Sequence, residues 1–230
     1  MHHHEEHFES PDFVKDIVIG MADGLTVPFA LAAGLSGAVD TSGIILTAGI
    51  AEIAAGSIAM GLGGYLAGRT EVDHYAAELE REYIETEIFP EKEKEEVREV
   101  LEEYGVSSES SKLIAEEMSK DKDKWVKFMT RFELGLEKPD AKRASRSALN
   151  IGAAYIVGGL VPLAPYFLIH NSREALLASV IVTLIALFIF GFLKAKAIGQ
   201  SPWSGAVKTT IIGALAAGAA FGLAKLIQAH

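Results

Sequence analysis

Residues 149–169 carry no charged side chain, and neither do residues 175–193. A helix of about 20 apolar residues crosses the hydrocarbon core of a bilayer, so both stretches have the length of a membrane span. A further apolar segment runs from about Ser204 to Ile227, with Lys208 and Lys225 near its ends, where long side chains can reach the interface. Residues 17–39 and 41–67 complete a set of five, each interrupted by one acid, Asp23 and Glu52. Lipid offers no water to unpaired backbone groups, so segments of this length are expected as helices.

The rest of the chain has the opposite character. Its net charge is −10, and 22 of its 31 acidic residues lie within residues 70–140, against 11 of its 21 basic ones. An acidic, water-loving insert therefore divides the apolar segments into two groups. The expected organisation is an N-terminal segment with two spans (1–69), an acidic helical domain (70–140) and three further spans (141–230). The expected fold class is all-α: a polytopic membrane protein of five transmembrane helices with an inserted cytoplasmic helical bundle, for which metal binding is the reading developed below. Lys and Arg placement orients it. The connection around 36–43 has neither residue and HNSRE has only Arg173, whereas Arg69, KRASR (142–146), Lys194, Lys196 and Lys208 gather at the other side. That asymmetry predicts a cytoplasmic N-terminus and insert, with the C-terminus outside.

Other features narrow the chemistry. Without cysteine there is no disulfide and no thiolate metal site. The start, MHHHEEHFESPDF, lacks the pattern of a secretory signal. His2, His3 and His4 read equally well as native or as a tag remnant. No phosphate-cradling glycine loop with lysine occurs, which argues against an ATP-driven pump, and the acidic insert would repel nucleic acid. GLGGYLAG and Gly218-x-x-x-Gly222 are expected to let helices approach closely.

An ionised carboxylate in mid-bilayer costs about 2.5–3.5 kcal/mol on insertion scales, and such groups usually line a cavity, pair, or mark an ion path. Asp23 and Glu52 have no basic residue at similar depth. Met60 lies eight residues after Glu52 and shares its helix face. Pro28 frees the carbonyl of Gly24, next to Asp23, so a loosened turn is expected there. Pro162 and Pro165 suggest a second irregularity, serving packing or gating. Carboxylate, carbonyl and thioether together suit a divalent cation, the sulfur favouring a softer metal such as iron(II). The bland alternative is a pair of protonated acids bonded between helices.

In the insert, Glu82 with Glu85, Glu93 with Glu96, and Met129 with Glu133 fall at spacings that share a helix face. Facing carboxylates from different helices build metal sites in helical bundles. Glutamate pairs in so acidic a segment also arise by chance and face solvent. Trp125, Phe128, Met129 and Phe132 form the apolar stripe of the last insert helix. No Gly or Pro separates Thr70 from Ile88, so the second span should continue into the insert.

DIVIGMADGLTVPFALAAGLSG, LTAGIAEIAAGSIAMGLGGYLA, and FELGLEKPD followed by GGLVPLAPY closely resemble the vacuolar iron transporter family, in order and over nearly the whole chain. The resemblance implies a homodimer of five-helix subunits, a secondary antiporter and not an enzyme, exchanging cytosolic iron(II) for protons. Mn(II), Co(II) and Zn(II) are further cargo candidates, and no cofactor is permanently bound. Asp23, Glu52 and Met60 match the family's translocation path. Glu82, Glu85, Glu93, Glu96, Met129 and Glu133 match its cytoplasmic metal positions. Where the plant pattern has two successive methionines, this chain has Met129 and Thr130. The short chain leans toward a prokaryotic plasma membrane, with a vacuolar membrane the expectation for a eukaryote. A membrane-anchored store or ferroxidase, and a metal sensor without net flux, are the rival readings.

Overall fold

The computed structural model describes residues 11–228, which leaves His2, His3 and His4 outside the described residues. Eight helices follow in chain order: α1 (Pro11–Ser36), α2 (Ser42–Ile88), α3 (Pro90–Glu103), α4 (Ser108–Met118), α5 (Lys122–Phe132), α6 (Arg143–Leu168), α7 (Ser172–Ala197) and α8 (Pro202–Gln228). Among the described residues, five of them (α1, α2, α6, α7 and α8) are long and apolar enough to cross a membrane. The protein is therefore a multi-pass, all-helical membrane protein. The chain divides into two compact units. One holds the described residues up to Tyr65 and those from Ala144 on; the other is Leu66–Arg143.

The first unit has an apolar exterior. Ile58, Leu62, Leu160, Ile185 and Ile211 are all exposed, which in water would be an aggregation hazard and in lipid is ordinary. Its interior is built from small residues and a few large ones. Ala32, Ile45, Ile53, Leu163, Tyr166 and Ala175 pack as one cluster, and Phe29, Ala33 and Ala217 as another. Gly191 of α7 and Gly205 of α8 face each other so closely that a methyl on either would strike the other's carbonyl oxygen. The expected contact through Gly218-x-x-x-Gly222 is not made among the described residues: a methyl at either position meets no atom of theirs within 4 Å. Gly61 and Gly64 of the second span do pack, against Ala148, Ser147 and Ile151 of α6.

Prolines do not interrupt the helices that contain them. α1 stays helical through Pro28, and α6 through Pro162 and Pro165. Both prolines of α6 are buried, and the Ser179 hydroxyl donates to the carbonyl of Pro162 at 2.7 Å. Gly159, one turn earlier, lies against Ile53 and Pro28. The irregular face of α6 is thus a packing face. The α1–α2 and α6–α7 connections are joined to each other: Ser42 N donates to His170 O at 3.1 Å and Ser172 N to Asp40 O at 3.2 Å, around a bridge of Thr41 with Asn171. Asn171 also caps α7, accepting from the backbone N–H groups of Arg173 and Glu174.

The second unit is a small amphipathic bundle. α2 runs on without a break to Ile88, and Pro90 opens α3, where its missing N–H costs nothing. Gly105 supplies the left-handed turn (φ +85°) that follows α3. Ser107 and Asp121 cap α4 and α5 with their side-chain oxygens. Val97, Ala115, Trp125 and Met129 form the apolar centre, with Leu101, Met118 and Phe128 against it. Trp125 is the largest of these, and its truncation would leave a void that so small a core cannot close. Trp125→Ala should destabilise this unit by about 3–5 kcal/mol, seen as early cleavage within residues 66–143 in limited proteolysis of the full chain.

Candidate metal centres

The continuous α2 carries Glu82 and Glu85 one turn apart, and α3 carries Glu93. Ligand-capable oxygens of these three acids lie within 4.8 Å of one another. Glu82 and Glu93 are only 3% and 1% exposed, so this is no solvated glutamate face. Two unit charges at that distance repel by about 3.5 kcal/mol at an effective dielectric of 20. No hydrogen bond offsets it: both oxygens of Glu93 and Oε2 of Glu82 are buried without a partner. The arrangement calls for a positive charge.

The neighbours sharpen that demand. Lys92 Nζ bonds Glu96 Oε1 at 2.7 Å and stands 4.0 Å from Glu93 Oε1, a tethered cation at the edge of the cluster. Burial, then Glu96 and Glu82, push the Glu93 carboxyl up to about 7. Burial, then Glu85 and Glu96, also raise Glu82. Glu133 caps the end of α5; exposed as a residue, its carboxyl end is nonetheless crowded, and loss of water followed by Glu96 and Glu82 raises it to about 7. Five of the six insert residues singled out from sequence thus act on one another: Glu82, Glu85, Glu93, Glu96 and Glu133.

Met129 stands differently. It is fully buried in the apolar centre with Val97, Ala115 and Trp125, so packing accounts for it. Thr130 is buried too, its hydroxyl donating to the Val126 carbonyl at 2.7 Å. A Glu-x-x-His spacing, the kind used by carboxylate-bridged di-iron bundles, exists at Glu71 and His74. Both residues are exposed, and His74 lies 3.8 Å from Glu78, so the spacing is spent on the helix surface.

In the first unit the membrane acids lie against α6. Tyr155 donates its phenolic hydrogen to Glu52 Oε1 at 2.5 Å, while Glu52 Oε2 is buried without a partner. Gly24, next to Asp23 on α1, is pressed against the backbone of Tyr155, closer than any side chain would allow. Asp23 and Met60 are half-buried, Met60 two turns along α2 from Glu52. The loosened turn expected at Gly24 is instead a tight helix contact, since Gly24 also meets the backbone of Gly158. Sequence reasoning missed two residues here. Asp16, 1% exposed, accepts from Ser147 Oγ at 2.9 Å and Asn150 Nδ2 at 3.3 Å. Its signal was present: it precedes Asp23 by seven residues, two turns on the same face. Tyr155 could have been noticed as the polar-tipped aromatic of an otherwise uncharged span.

Lipid-length helices around buried acids, with a second acid cluster that lacks its positive charge, define a polytopic membrane protein equipped for cations. Residues 14–225 match the model of the VIT family, and the chain belongs to that family. It is 54% identical over 227 residues to vacuolar iron transporter 1 of Arabidopsis thaliana, covering 99% of this chain and 91% of that protein. It is 52% identical to vacuolar iron transporter 1 of Oryza sativa subsp. japonica, over 99% and 90% of the two chains. Protein CCC1 of Saccharomyces cerevisiae is 37% identical over 94% of this chain and 70% of its own length.

The raised acids set the pH response of the metal-free protein. Below about 4.5, Glu93 and Glu133 hold protons whether the chain is folded or not, and cost nothing. Between about 4.5 and 7 the unfolded chain ionises first, so stability falls as pH rises, and above about 7 the full penalty is present. Metal-free protein should therefore melt at higher temperature at pH 5.5 than at pH 8. Glu93→Gln should raise the pH 8 melting temperature of the second unit by about 4 °C or more while weakening Co(II) binding, followed by calorimetry. A neutral side chain that lowered stability would contradict the unpaired charge described above.

Proposed function

We propose that the protein exports iron(II) from the cytosol in exchange for protons, as a secondary antiporter working as a homodimer. The two plant relatives above are named as vacuolar iron transporters, so the membrane in this reading is vacuolar; neither supports the prokaryotic plasma membrane expected from the short chain. The observation that carries the reading is the buried, unpartnered oxygen of Glu52 inside a lipid-length helix. A carboxylate so situated is stable only when a cation or a proton sits on it.

The exchange follows from that competition. Metal binding requires deprotonated carboxylates and releases their protons; protonation expels the metal. In the proposed cycle the acidic unit faces the cytosol and collects iron(II) on Glu82, Glu85, Glu93, Glu96 and Glu133. Asp23 and Glu52, with the Met60 thioether, then hold the ion within the membrane. Protons arriving from the acidic side neutralise these carboxylates and release the metal there. Mn(II), Co(II) and Zn(II) have ligand preferences close enough to be carried as well. An apolar groove of about 650 Å³, lined by Val27, Ala30, Leu31, Gly34 and Ala216 with Glu52 among its wall residues, offers a second copy a close-packing surface.

In proteoliposomes, iron(II) uptake should follow an imposed pH gradient, and Asp23→Asn or Glu52→Gln should reduce it to the level of empty liposomes. Uptake surviving both changes would remove the membrane acids from the mechanism. Binding by calorimetry without flux would make the protein a sensor.

A further inference from the structure

We infer that Tyr155 determines which ions the membrane site accepts, by holding one oxygen of Glu52 and leaving only the other to grip the cargo. The inference rests on the reading of Glu52 as a path residue. Tyr155 is 2% exposed, and its hydroxyl donates to Oε1 while Oε2 is buried and free. Glycines meet Tyr155 at both ends, one at the phenol and one at its backbone. One turn after Glu52, a methyl at Gly56 would collide with the Tyr155 hydroxyl and ring; on α1, a methyl at Gly24 would collide with the Tyr155 carbonyl. α1 and α2 thus both carry bare backbone where Tyr155 sits, and on α2 the phenol fills the space a side chain at residue 56 would need, one turn from the carboxylate.

The chemical consequence is denticity. A carboxylate with one oxygen engaged by a hydroxyl binds a cation through the other oxygen alone. Calcium takes six to eight oxygens in a flexible shell and commonly uses carboxylates through both oxygens. Smaller transition ions accept fewer ligands, among them single carboxylate oxygens and thioethers, and Met60 offers the latter. Tyr155 therefore favours a small, softer divalent ion over calcium. The same hydrogen bond fixes the orientation of the free oxygen, the role that outer hydrogen-bonding partners have around metal ligands generally.

The test uses the full chain in proteoliposomes, with anaerobic iron(II) uptake and calcium as both competitor and tracer. Tyr155→Phe keeps the ring and removes the hydroxyl, which frees Oε1. The KM for iron(II) should rise about tenfold or more, and the preference for iron(II) over calcium should fall by a similar factor. A merely structural role would lower the flux of both ions together and leave their ratio unchanged; that result overturns the inference. Gly56→Ala pushes the hydroxyl aside by a different route and should shift the ratio in the same direction, so it decides the matter if Tyr155→Phe does not elute and melt as a folded protein. Glu52→Gln separates the two readings. If it transports iron(II) normally, the path reading fails; if it is silent while Tyr155→Phe keeps full ion preference, only the role of Tyr155 fails.

Discussion

Negative charge buried without a matching donor organises this protein. Hydrogen bonds and ion pairs usually accompany a carboxylate out of water, because an unpaired one costs several kcal/mol. Here Glu93 has neither oxygen satisfied, and Glu52 and Glu82 have one each left bare. Such groups survive in a folded chain only if the surrounding packing is firm enough to hold them, and both units provide it: Val97, Trp125 and Met129 beneath the glutamate cluster, and Ile53, Leu163 and Tyr166 in the membrane unit. The proposed binding surface is thus also the destabilised part of the structure, and a cation bound there would contribute folding free energy as well as occupancy.

The two acid groups solve this problem differently. In the second unit the carboxylates crowd one another, and Lys92 stands beside them as a weak, tethered substitute for a metal. Such a cation moderates the repulsion without satisfying it, since its contact with Glu93 is at 4.0 Å. In the membrane unit two of the acids have a hydrogen-bonding neighbour on α6: Asp16 has Ser147 and Asn150, and Glu52 has Tyr155. Asp16 is fully engaged in this way, while Glu52 keeps an oxygen in reserve.

How far the sequence foretold this depends on the range of each interaction. Five apolar segments and the unbroken run from the second span to Ile88 were legible because hydropathy and the absence of Gly or Pro are local properties. So were the caps at Ser107 and the turn at Gly105. Grouping of Glu82 and Glu85 with Glu93 was suggested by spacing but ambiguous, since only the turn at Phe89–Pro90 brings α3 back onto α2. Tyr155 and Glu52 are separated by 103 positions, and no periodicity links them. The two glycine motifs parted for a related reason: Gly61 and Gly64 pack against α6 and the other pair does not. Gly218 and Gly222 have the right spacing on a face that meets no atom of the described residues within 4 Å, and spacing alone does not say which side of a helix meets a neighbour. Met129 is ambiguous in the sequence because a thioether serves equally as packing and as ligand.

The cross-link between the α1–α2 and α6–α7 connections has a mechanical implication. Two backbone hydrogen bonds, which together make the Thr41–Asn171 bridge, fasten these turns together, so the tips of four helices at that end are tied into one cap. In the proposed carrier, any bending that exposes the site has to lie away from this cap, and α8, packed on α1 through Ala217 and on α7 through Gly205, moves with the helices it touches.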